Sequence, residues 1–155
     1  MSVLAVVRPD SWDLPLFIHI LGSMVLVGAL ALSAVALFAA WRSGSPAMTR
    51  LGFMAVFYGA LPGWIVMRGG AQWIANKEGL DGDNVDLSWV DMGFSIGDTS
   101  FVLLIALLVM GGIAVRRIAR DGSTSLISTR IAAGLVSFLI VAYLVAVWAM
   151  TTKPV

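Results

Sequence analysis

Residues 14–41 read LPLFIHILGSMVLVGALALSAVALFAAW, and this stretch decides the fold class. It carries no charge and exceeds the roughly 20 apolar residues with which a helix crosses the hydrocarbon core of a bilayer. It also holds the chain's only histidine, His19. Three- and four-residue helical steps from His19 reach Gly22, Leu26, Ala29, Ser33, Ala36 and Ala40, all small except Leu26. Small faces let membrane helices approach closely, so this face is expected to pack and His19 to point inward. Phe17, Leu21, Met24, Val35 and Phe38 lie on the other faces, which suit lipid or looser packing.

The rest of the chain agrees in character. Of its 155 residues 59% are hydrophobic and 12% charged, whereas a soluble domain is about 45–50% apolar. The class is therefore an all-α polytopic membrane protein, read as one domain over residues 1–155. The absence of cysteine excludes disulfides, thiolate metal sites and cysteine nucleophiles. The opening MSVLAVVRPDSWD lacks the basic region, short apolar run and small-residue cleavage site of a signal peptide. The first helix is thus expected to remain in the mature protein.

Four transmembrane spans are predicted, over about residues 14–41, 49–76, 96–117 and 128–150. Trp12 marks the first boundary, and Asp13 before Leu14-Pro15 is an acidic cap with proline in the first turn. The span ends near Trp41-Arg42. The breaker-rich Arg42-Ser43-Gly44-Ser45-Pro46 is too short for anything but an antiparallel return. Within the second span Pro62-Gly63 removes a backbone donor and predicts a kink. Arg68 is expected to snorkel toward headgroups and Trp73 to anchor there.

Residues 77–95 predict an acidic extramembrane loop: Glu78, Asp81, Asp83, Asp86 and Asp91, with Asp98 just beyond, stand against Lys77 alone. A seven-residue echo, Ser88-x-x-Asp91-x-x-Phe94 then Ser95-x-x-Asp98-x-x-Phe101, offers two capping-box variants. The first is expected to open a short interfacial helix and the second to open the third span. Asp81-x-Asp83-x-x-Asp86 lacks the full calcium-loop spacing and its terminal glutamate, so calcium is not assigned. Arg116, Arg117 and Arg120 stop the third span, and the fourth ends before Lys153-Pro154.

Charge placement predicts orientation. Arg42, Arg50, Arg116, Arg117, Arg120 and Arg130 flank the 1–2 and 3–4 turns, against Arg8, Arg68, Lys77 and Lys153 on the other side. The positive-inside rule puts both turns in the cytoplasm, and both termini and the acidic loop outside. Four spans with short connections then form an up-down-up-down antiparallel bundle in the cell membrane.

Alternating direction brings His19, Arg68, Gln72, Asp98 and Tyr143 to a similar side of the membrane as a candidate polar cluster. Ionisable groups inside a membrane are costly and are functional candidates by default. Each also has a structural reading: His19 bonded to a carbonyl or hydroxyl, Arg68 snorkelling, and Asp91 and Asp98 as caps. The methionines read as adaptable packing, yet Met67 or Met150 near His19 could complete a soft copper(I) site or an axial haem pair. Tyr143 and Gln72 are candidates to orient the imidazole. No phosphate loop, nucleophile-base pair or paired metal motif is present, and the dispersed arginines do not suggest nucleic acid.

The segment His19-x-x-Gly22-x-x-x-x-x-Gly28 resembles the first helix of small bacterial membrane proteins of the copper-resistance D type and of integral-membrane families of unknown function with the same opening. Their pattern is approximately His-x-x-Gly-x-x-x-Trp-x-Gly, and Leu26 stands here at the tryptophan position. The resemblance covers one helix and the four-span layout. It implies a helical bundle and keeps haem b or copper as a cofactor of His19. The residues themselves lead to a non-enzymatic accessory or assembly protein, surrounded by lipid and bound to a membrane-protein partner or a second copy. Haem b or copper(I) binding through His19 is the alternative.

Overall fold

A computed structural model describes residues 13–78 and 88–152. Every element among them is helical: α1 (Asp13–Ser43), α2 (Pro46–Ala55), a π-turn (Val56–Ala60), α3 (Leu61–Glu78), α4 (Ser88–Asp121) and α5 (Leu126–Thr152). Since α2, the π-turn and α3 run on without a break, they make one span. The described residues thus hold four spans long and apolar enough to cross a membrane, packed as the expected all-α four-helix bundle. The second span and α5 flank α1, and α4 closes the bundle against both of them.

Both short turns use the same chemistry. Gly44 and Gly122 adopt φ of +66° and +64°, a left-handed conformation open to glycine at little cost, and each returns its N–H to a carbonyl of the preceding helix. A serine then caps the next helix. The Ser45 hydroxyl accepts from the Met48 N–H and the Ser125 hydroxyl from the Ser128 N–H, both at 3.4 Å. One turn further, buried Thr49 and Thr129 donate to those serines' carbonyls at 3.1 and 2.9 Å. The hairpins meet at this turn end, where Thr124 donates to the Gly44 carbonyl and the Arg130 guanidinium lies 5.2 Å from the Trp41 ring centre.

Two boundaries and one interior feature differ from expectation. The second span starts at Pro46, not Thr49, because a proline without an N–H is at no disadvantage in the first helical position after a serine cap. The interruption at Pro62 takes the form of the π-turn just before it, with the Leu61 N–H reaching back five residues to the Val56 carbonyl. The separate interfacial helix and the third span are one helix, α4. Seven residues are close to two helical turns, so the Ser-x-x-Asp echo repeats along one helix face and does not mark two helix starts. Of the expected 77–95 loop, residues 79–87, with Asp81, Asp83 and Asp86, lie outside the described residues, as do Trp12 and Lys153.

The small face of α1 is an interior one: Gly22, Leu26, Ser33, Ala36 and Ala40 are buried, whereas Phe17, Leu21, Met24, Val35 and Phe38 are exposed. The second span answers with Gly52, Gly59, Gly63 and Gly70, whose spacings of seven, four and seven put them on one helix face. The two spans touch backbone to backbone. A Cβ on Gly22 would lie 2.3 Å from the Met67 nitrogen, and one on Gly70 2.7 Å from the His19 nitrogen. Toward the other helices the core fills with Leu30, Leu37, Phe53, Val56, Leu104, Leu107, Val136 and Leu139.

Ser33 is the exception in this seam. Its side chain is fully buried and its hydroxyl has no partner among the described residues, whereas Ser23 and Ser137 each donate to the carbonyl four residues back. Leaving a buried hydroxyl unbonded sacrifices its solvation for nothing. Ser33→Ala is therefore expected to stabilise the bundle by about 1 kcal/mol in detergent unfolding. A loss of stability of that size would show that the hydroxyl is bonded in the membrane.

Candidate functional site

The sequence-identified polar residues gather at the end of the bundle opposite the turns. His19 stands six residues after Asp13, about 9 Å along α1 at 1.5 Å per residue. Its Nδ1 is 2.9 Å from the Met67 carbonyl oxygen. A carbonyl only accepts, so Nδ1 carries the proton and, in the neutral ring, the lone pair is on Nε2. Gly70 makes this geometry possible, because any side chain there would strike the backbone of His19.

Arg68, the next residue after Met67, turns toward α4. Its Nε donates to Asp98 Oδ1 at 3.0 Å and a terminal nitrogen donates to Gln72 Oε1 at 3.1 Å. Gln72 in turn donates to Asn76 Oδ1 at 2.9 Å. The Phe94 ring lies under the guanidinium, 4.3 Å away, and Trp64 donates its indole N–H to the Gly97 carbonyl while stacking on Phe101. Arg68 is thus held by a carboxylate, an amide and an aromatic face. Asp98, expected to cap a helix, lies well inside α4 and serves as the arginine's partner, while Asp91 stays in the first turn. With Asp98 62% exposed, the ion pair is worth at most about 1 kcal/mol.

Tyr143 lies elsewhere, buried in the interior with its hydroxyl beside Ser100 but without a hydrogen bond of normal geometry. Ser100 donates to the Ile96 carbonyl. The structure therefore brings Arg68, Gln72 and Asp98 together and leaves His19 and Tyr143 outside that group. The Met67 carbonyl orients the imidazole through Nδ1. Sequence reasoning missed Trp64, Asn76, Phe94 and Gly97. Trp64, Arg68, Gln72 and Asn76 recur every fourth residue, a ladder on one face of α3 that was available as a signal.

For a metal or haem the donor set offers one nitrogen. Nδ1–H bonded to a carbonyl, with Nε2 bearing the lone pair, is how metal-binding histidines are commonly oriented. Among the described residues no group of three histidine, aspartate or glutamate side chains could hold a metal ion. Met67 meets His19 through its carbonyl, and the Met150 side chain lies outside the described residues. The α1–α3 seam is closed by backbone contact and has no room for a macrocycle.

No protein-family model, no curated protein and no solved structure matches the chain.

Proposed function

We propose that the chain is a multi-pass protein of the cell membrane that acts by holding membrane-protein partners or further copies of itself, without catalysis. The observation that carries this reading is the uneven covering of the spans. In α4 17% of the most apolar stretch is buried, against 33–39% in the other three. Its exposed face presents Phe101, Val102, Ile105, Val109 and Ile113. Lipid covers such a face, and so does another helix. Both termini and the acidic loop face outside in this reading, since Arg42, Arg50, Arg116, Arg117, Arg120 and Arg130 cluster about the turn end.

The test is extraction in mild detergents and in native-lipid particles, followed by identification of co-purifying proteins. Recovery of a stoichiometric complex is expected. A monomer alone in every preparation contradicts the proposal.

The orientation of His19 favours one second reading, a haem b or copper(I) protein with Nε2 as ligand. Its test is an absorption spectrum and metal analysis of protein from native membranes beside His19→Ala. A Soret band or bound copper that the substitution removes supports it, and a folded protein with neither returns His19 to a structural role.

A further inference from the structure

The middle of the second span carries polar groups where a bilayer offers no water. Tyr58 is eight residues from Arg50 and ten from Arg68, about 12 Å and 15 Å at 1.5 Å per residue. Tyrosine normally sits at the membrane boundary, where its hydroxyl finds water. Here the side chain is 71% exposed on the outer face of the bundle, edge-on to Phe57, and its hydroxyl bonds no described residue. The backbone beside it is open too. The Leu61 N–H goes to the Val56 carbonyl and Pro62 has no N–H, so the Phe57 carbonyl has neither its usual donor four residues on nor the one five residues on. Freed backbone groups at membrane depth are satisfied by neighbouring helices, side chains or water, and lipid chains supply no donor.

We infer that this patch is a self-association surface, on which two copies of the chain pair about a two-fold axis along the membrane normal through Tyr58 and the π-turn. The inference rests on the membrane location proposed above and names the partner as a second copy. The two copies complement each other. The patch holds a hydroxyl that both donates and accepts and a carbonyl that only accepts. A two-fold axis sets residues of equal depth against each other, so each copy brings a donor to the other's open acceptors. The face is also accessible: Leu51 and Ile65, seven residues either side of Tyr58, are exposed, and Gly69 has open space beside it.

The chain has no cysteine, so single cysteines report the contact cleanly. Leu51→Cys and Ile65→Cys, which keep Tyr58, are treated in native membranes with a short membrane-permeable thiol crosslinker. Met24→Cys and Val141→Cys, on exposed faces of α1 and α5, serve as controls. A covalent dimer is expected from at least one of the first pair and from neither control. Tyr58→Phe removes one exposed oxygen and leaves the fold alone; it is expected to weaken dimerisation in native-lipid particles roughly threefold to thirtyfold. Crosslinking no greater than in the controls, or undiminished pairing of Tyr58→Phe, overturns the inference. Crosslinking to an unlike protein overturns self-pairing while leaving the assembly reading in place, whereas a chain monomeric and partnerless in every preparation removes both.

Discussion

Gly22→Ala is expected to force α1 away from α3 and to cost the bundle about 3 kcal/mol, the upper part of the usual overpacking range. The new methyl carbon would lie 2.3 Å from the Met67 nitrogen, 2.7 Å from its Cα and 2.9 Å from the Val66 carbonyl carbon. All three are backbone atoms of a helix, so relief requires moving α3. Such a movement reaches the His19–Met67 hydrogen bond and the Gly70 contact above it. The comparison is with Gly28→Ala and Gly112→Ala, where nothing lies within 4 Å of the added carbon. These should be neutral or up to about 1 kcal/mol stabilising, since alanine is the better helix former. Thermal unfolding in one detergent ranks the three, and a Gly22→Ala protein as stable as the Gly28→Ala protein contradicts the backbone seam.

Val109→Asp should lower membrane insertion by about 3 kcal/mol, the cost of an aspartate at the centre of a spanning helix. Val109 is 59% exposed and falls between Asp98 and Arg116, nearer the middle of α4 than either end. The size of the effect separates two environments. An exposed substitution facing water usually changes stability by less than about 0.5 kcal/mol, because nothing is desolvated. An insertion assay of the α4 segment, read beside Val109→Leu, makes the measurement. Equal insertion of the aspartate and leucine variants contradicts a lipid-facing α4.

What the sequence revealed follows from how local each signal was. The small face of α1 was legible because a single helix carries it at three- and four-residue steps. Its partner face was equally periodic, but Pro62-Gly63 read as a kink, and glycine means a break or a close approach depending on what stands opposite. Only the neighbouring helix decides. The boundary of α4 was misplaced because Ser-x-x-Asp caps a helix start and also sits inside a helix, and a seven-residue repeat fits both. Arg68, Gln72 and Asp98 were recoverable as a group because alternating spans fix depth, which places Arg68 and Asp98 at one end. Azimuth is not fixed that way. Met67 faces α1 and Arg68 faces α4, and that one-residue difference separates His19 from the arginine.

The proposed role requires four spans threaded through a membrane with both turns on one side. Single cysteines at Asn84 and Ser123, probed in intact cells with a membrane-impermeant thiol reagent, test this most directly, because the native chain contributes no thiol. Labelling of Asn84→Cys is expected in intact cells, and of Ser123→Cys only after the membrane is opened. Labelling of Ser123→Cys but not Asn84→Cys in intact cells would contradict the orientation, and equal labelling of both would contradict the four-span threading itself.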